Sequence, residues 1–230
     1  VGERVAAASD RNNLIYRFTV LDSPEANAFA LPGGYIYITR GIMAYLDSEA
    51  ELAAVLGHEI VHADASHGAR AQSKAMLTQT GAVIAMILGS SIRSQSAREV
   101  AMMVPALGAQ LLTQKYGRDA EREADEYGML YLSEAGYDPE GAVRLQETFV
   151  ELSEGRQQDW LSGLFASHPP SPERVANNRA TAASLPAGGE NGVEEFQRRT
   201  AYLRRVQPAY EAFDEANKAV SDEQFGLGQE

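Results

Sequence analysis

Residues 47–67 read DSEAELAAVLGHEIVHADASH, and the reading of this stretch decides the fold. Asp47 and Ser48 ahead of Glu49-Ala50-Glu51 supply an N-cap and an acidic first turn. An amphipathic helix follows, carrying Leu52, Val55 and Leu56 into the HEIVH segment. His58 and His62 are four apart, so on a helix they lie about 40° apart around the axis and one turn up. Both imidazoles can therefore reach one point. Zinc accepts neutral imidazole, and catalytic zinc sites use three protein ligands. Glu59, next to the first histidine, is placed to act as general base on an attacking water; two ligands and a base on one turn are the content of H-E-x-x-H. A histidine pair can also arise by chance on an amphipathic helix. The context favours the metal: apolar Ile60 and Val61, a good cap, and Gly57, which lets another backbone approach.

His67 is not expected to be a third ligand. The longer pattern H-E-x-x-H-x-x-G-x-x-H needs Gly at 65 and His at 68, where this chain has Ala65 and Gly68. A continuing helix turns His67 about 180° away from His58. The helix predicted over Arg118–Leu132 offers a better partner in Glu121-Arg-Glu-Ala-Asp125. Glu121 and Asp125 share a face. Glu121 can complete a His2Glu set, and Asp125 can accept a hydrogen bond from a ligand imidazole and fix its tautomer. Ala124 is small enough for two helices to share a metal closely. Glu123 is the rival ligand, but it faces elsewhere and has no partner four residues on.

The rest of the chain reads as α+β, mainly α. Residues 1–12 suggest a short helix and Leu14–Leu21 a strand. Ala28–Leu31 and Tyr35–Thr39 form a strand pair across Pro32-Gly33-Gly34. The apolar runs 76–88 and 100–112 are shorter than the roughly 20 residues a membrane span needs, so they are expected as buried or groove-covering helices. A helix is predicted over Pro139–Leu152, then a Pro-rich loop from Phe165 to Arg174 entering another helix. The Gly-rich stretch Pro186–Gly192 separates a unit of residues 1–185 from a tail, 186–230. That tail is predicted as a helix from Val193 to Arg205, a break at Pro208 and a second helix to Val220: a helical hairpin resembling half of a tetratricopeptide repeat.

Lys and Arg number 20 against 32 Asp and Glu, a net charge of −12, which argues against a nucleic-acid surface and against docking on anionic lipid. The absence of cysteine excludes disulfides and thiolate metal sites. The start at Val1 rather than Met leaves room for a removed export signal.

Four motifs in order, NAFALPGGYIYITRG, HEIVH, EREAD and SHPPSPER, resemble the HtpX-like and CAAX-prenyl-protease-like gluzincin zinc metallopeptidases. The resemblance is to their soluble, exported branch related to BepA, LoiP and the mitochondrial Oma protease, over roughly residues 15–180. It implies a zincin-like domain with a small β-sheet beside the HExxH helix. It also implies one Zn2+ held by His58, His62 and Glu121, with Glu59 as general base and Asp125 supporting a ligand. An edge strand beside the metal would bind an extended polypeptide by strand addition. Tyr35, Ile36, Tyr37, Ile38 and Thr39 are the candidate strand, or a plain scaffold. In such relatives a histidine in the loop holding His168 can approach the zinc as a latch; polarising the scissile carbonyl or anchoring the loop are the alternatives here. Arg174 fixes that loop through an ion pair or stabilises an oxyanion. The short apolar runs argue against a spanning protein and against a prenyl-peptide substrate, and the expected protein is soluble, membrane-peripheral or lipid-anchored, and periplasmic or otherwise exported. The expected activity is endopeptidase action on unfolded or misassembled proteins. The rival is a zinc-binding, chaperone-like module with latent or no protease activity, using the C-terminal helices to meet a protein partner.

Overall fold

The computed structural model describes residues 1–10, 14–31, 33–65, 116–154 and 161–226. His67 and the apolar runs 76–88 and 100–112 lie outside the described residues.

The helix α1 (Gly2–Ala6) leads into a three-stranded sheet of β1 (Arg17–Leu21), β2 (Ala28–Leu31) and β3 (Tyr35–Thr39). β2 and β3 form the expected antiparallel hairpin, with Ala30 opposite Ile36 and Phe29 opposite Tyr37. β1 adds in parallel to the other side of β3, giving the order β1-β3-β2. Thr39 ends the sheet and caps α2 (Arg40–Tyr45) by accepting from the Ile42 backbone N–H.

The central helix α3 (Glu49–Asp64) starts where the cap signal placed it. Ser48 Oγ accepts from the Glu51 N–H at 3.1 Å, and Glu51 reaches back to the Asp47 N–H at 2.7 Å. The Ser48 bond satisfies an N–H that the first turn leaves without a helical partner, and the Glu51 bond ties the residue before the cap to the same turn. α3 packs against β2, α1, α4 (Arg118–Glu134) and α5 (Glu140–Glu154). Its crossing with α4 is close because two glycines meet. A Cβ on Gly57 would stand 2.8 Å from the Gly128 carbonyl oxygen, and one on Gly128 would stand 2.9 Å from the His58 nitrogen. Fully buried Ala124 lies in the same helix face as Glu121, Asp125 and Gly128. Backbone contact without intervening side chains thus holds the HExxH turn against the acidic face of α4.

A short helix α6 (Ser162–Ser167) precedes α7 (Pro172–Ser184), so part of the expected Pro-rich loop is helical and the loop proper is His168–Ser171. Ser171 caps α7 by accepting from the Arg174 N–H, and Pro172 sits where its missing N–H costs nothing. α7 packs on α4 and α5.

The tail departs from expectation. α8 runs unbroken from Val193 to Gly226 with Pro208 inside it, in place of a hairpin broken at that residue. Proline removes one helical hydrogen bond and crowds the preceding turn, but tertiary contacts flank it on one face. Arg40 Nη1 donates to Gln207 Oε1, and the Arg40 guanidinium lies 3.6 Å from the centre of the Tyr210 ring. Arg204 also donates to the Leu46 carbonyl. These anchors to the α2 region hold the helix through the proline. Among the described residues, no helix is long and apolar enough to cross a membrane.

Candidate metal centre

α3 presents His58, Glu59 and His62, α4 presents Glu121 and Asp125, and the α6–α7 loop presents His168. His58 Nε2 lies 3.0 Å from His62 Nε2 and 3.1 Å from His168 Nδ1. Glu121 Oε1 is 3.0 Å from His168 Nδ1 and 3.4 Å from His62 Nε2. One ligand atom from each of His58, His62, Glu121 and His168 lies within 4.8 Å of all the others.

This donor set fits a metal. His58 Nδ1 lies 3.0 Å from Asp125 Oδ1, and an ionised carboxylate can only accept, so the imidazole proton sits on Nδ1 and the Nε2 lone pair faces the cluster. Three imidazole nitrogens and a carboxylate oxygen converging on one point have a shared use around a cation. Ligand atoms about 2.1 Å from a tetrahedral ion are about 3.4 Å apart, close to the separations found here.

The charges around the cluster are buried. Burial pushes the Glu121 carboxyl up, but the imidazoles of His168 and His58 and hydrogen bonds from His168 and His62 outweigh it and hold the group well below the usual carboxylate range. Asp125 is likewise held down against its burial, first by Arg174 and then by His58. Arg174 makes a fork, Nε to Oδ2 and Nη2 to Oδ1 of Asp125, both at 2.7 Å. Its Nη1 lies 3.0 Å from Glu121 Oε2 and donates to the Pro169 carbonyl at 3.2 Å. These contacts tie α4 to the residue after His168. Glu59 stands beside the cluster, only 1% exposed. Its Oε1 is 3.5 Å from His168 Nε2, and the Ala30 backbone N–H faces its carboxylate. Burial raises its pKa.

One expected feature is corrected. Tyr35–Thr39 is the middle strand, paired with β1 on one side and β2 on the other, so its backbone has no edge to offer. Density of β-forming residues marks a strand, and most strongly a central one; it does not mark an edge. The edge beside the site is β2, which pairs only with β3 among the described residues. The Thr39 N–H donates to the Asn27 carbonyl, so by antiparallel alternation Phe29 and Leu31 turn their backbone groups toward β3. Ala28 and Ala30 turn theirs outward, consistent with the Ala30 N–H facing Glu59.

Tyr116, just ahead of α4, was not foreseen. Its ring stacks on His62, with centroids 3.9 Å apart and planes 17° apart. It precedes the helix, so no spacing rule placed it in the site.

Residues 1–182, which contain every residue of this centre, match the family described as peptidase family M48. The chain belongs to peptidase family M48. A putative beta-barrel assembly-enhancing protease of Vibrio cholerae is 30% identical over 193 residues, covering 81% of this chain and 38% of that protein. The mitochondrial metalloendopeptidase OMA1 of Arabidopsis thaliana is 32% identical over 169 residues, 74% of this chain and 32% of its own length. Metalloprotease LoiP of Escherichia coli is 30% identical over 174 residues, with 76% and 66% covered. The chain thus spans well under half of the first two relatives. M48 peptidases use zinc, and the cluster of His58, His62, Glu121 and His168 can bind one metal ion.

Proposed function

We propose that this M48 chain is a zinc-dependent endopeptidase cleaving extended segments of unfolded or misassembled proteins, held latent by His168. The observation that carries this reading is His168 Nδ1 within 3.0–3.1 Å of both Glu121 and His58, inside the ligand cluster and beside a buried Glu59. His58, His62 and Glu121 would hold the zinc, and His168 would compete with water or substrate for access to it. Bound zinc supplies the Lewis acid that polarises the scissile carbonyl. Glu59 takes the proton of the attacking water and returns it to the leaving amine. Substrate backbone adds along the outer edge of β2, pairing with groups other than the Ala30 N–H that Glu59 holds, and extends the sheet by one strand. Arg174, forked onto Asp125 and bonded to Pro169 O, holds the latch loop against the ligand helix. The peptidase unit is residues 1–185, and the tail, 186–230, is a linker and helix offering a surface to a protein partner. The relatives named for β-barrel assembly and for mitochondria fit substrates that have failed to assemble, and an exported, periplasmic setting, soluble, membrane-peripheral or lipid-anchored.

Replacing His168 by Ala tests the reading. If the latch fills the site in nine molecules of ten, its removal raises the competent fraction about tenfold. The zinc-loaded His168→Ala protein is therefore expected to cleave denatured casein about tenfold faster than the parent. Slower cleavage would make His168 a catalytic participant. Inactivity of both proteins with zinc bound would favour the second reading, a zinc-containing binding module, which the same buried latch supports.

Asp125 gives a separate check on the ligand set. Asp125→Asn keeps the shape but weakens the hydrogen bond that orients His58, and zinc affinity is expected to fall about 10–100-fold in a chelator competition. Unchanged affinity would mean that His58 is oriented without it.

A further inference from the structure

A cavity of about 40 Å3 of water-accessible space adjoins the catalytic residues. At roughly 10–15 Å3 per water centre it holds about three. His58, Glu59 and His168 form part of its wall, and Gln146 of α5 and Asn178 of α7 form another part. The paired charges of Asp125 and Arg174 also reach the wall, and the rest of the surface is apolar, with Val55, Leu145, Phe149 and Leu164.

Three buried polar atoms on this wall have no hydrogen-bond partner among the described residues: Glu59 Oε2, His168 Nε2 and Gln146 Oε1. The first two belong to the general base and the latch already described. Gln146 does not. It sits on the buried face of α5 among Ala142, Leu145 and Phe149, where the helical pattern calls for an apolar residue, and it is 6% exposed. Buried polar groups in native proteins are almost always paired, so an unpaired amide oxygen aimed into a cavity points to a ligand.

We propose that this cavity receives the substrate side chain beside the scissile bond, and that Gln146 selects a short side chain ending in a hydrogen-bond donor, threonine and serine first. The proposal rests on the endopeptidase reading above. The cavity touches Glu59, so a side chain in it belongs to a residue whose peptide bond lies at the general base. Its volume admits two to four heavy atoms and refuses aromatic rings. The apolar wall suits the methyl of threonine, and Gln146 Oε1 accepts from the hydroxyl. Valine has the same shape and no donor, so it leaves the amide oxygen unpaired, the condition under which a hydrogen-bonding site discriminates most strongly. Asn178, 3% exposed on the same wall, supplies further polar surface.

The test is a series of peptides differing only by Thr or Val at each position flanking the cleaved bond, given to the full zinc-loaded chain. The parent is expected to favour Thr over Val about tenfold in kcat/KM at one flanking position. Gln146→Leu is close in volume and removes an unpaired polar atom, so it is expected to fold. Its Thr/Val ratio should fall toward one while the Val peptide is still cleaved. Gln146→Glu keeps an acceptor of the same length and should keep the preference for Thr. A parent ratio of one at both positions overturns the proposal, whether or not the variants fold. So does an unchanged preference in Gln146→Leu, which with an altered melting temperature would leave the cavity a site for structural water. Failure of both the parent and His168→Ala to cleave any peptide strikes instead at the endopeptidase reading.

Discussion

Glu59→Gln is expected to leave the protein folded and zinc-loaded and to slow casein cleavage about 10²–10⁴-fold, the range for losing a positioned general base. The structure separates the two properties. The four convergent ligand atoms come from His58, His62, Glu121 and His168, and Glu59 is not among them. Its carboxylate lies to one side, against His168 Nε2 and the Ala30 N–H. Glutamine keeps the length and an acceptor for that N–H, and a neutral amide is easier to bury than a charge at a site only 1% exposed. What it loses is the capacity to take a proton. Metal content and melting temperature should match the parent while turnover collapses, most cleanly in the His168→Ala background, where the latch no longer limits the rate. Retained cleavage by contaminant-free, zinc-loaded protein would sink the assignment of Glu59.

The parts of this centre that were legible in the sequence are those governed by one helical period. His58 with His62, and Glu121 with Asp125, share helix faces because four residues make just over one turn, and no tertiary information is needed to see it. The closeness of the two helices was also written locally, in Gly57 and Ala124, although Gly128, the other half of the contact, carried no motif. The Ser48 cap and the β2–β3 hairpin depend on neighbours in sequence and came out as read. Strand order did not, because an edge strand and a central strand have the same alternation, and only pairing with distant β1 put Tyr35–Thr39 in the middle. Pro208 shows the same limit: a local rule predicted a break, and contacts from Arg40, 167 residues away from Gln207, outweighed it. Gln146 is the instructive case. A polar residue at an apolar position of α5 was visible in the sequence, but its meaning needed the cavity.

Glu121→Ala is expected to abolish zinc binding at ordinary metal concentrations, a larger loss than Asp125→Asn, because it removes a ligand where the other weakens only the support of one. Glu121 is the sole anionic donor in the cluster, 4% exposed and held far toward its ionised form by the imidazoles around it. Without it, three neutral imidazoles remain and no protein charge in the cluster balances a dication. Arg174 Nη1 and His168 Nδ1 each lose a partner at 3.0 Å, and breaking a buried ion pair costs about 3–5 kcal/mol. The variant should therefore also melt lower than the parent even with both proteins metal-free, which separates a lost ion pair from lost zinc. Glu123→Ala supplies the contrast: two residues along α4, half-buried and outside the ligand cluster, it should leave stoichiometry at one zinc per chain. Unchanged zinc stoichiometry and affinity in Glu121→Ala, or their loss in Glu123→Ala, would move the third ligand away from Glu121, and with it the reason that α3 and α4 meet glycine to glycine.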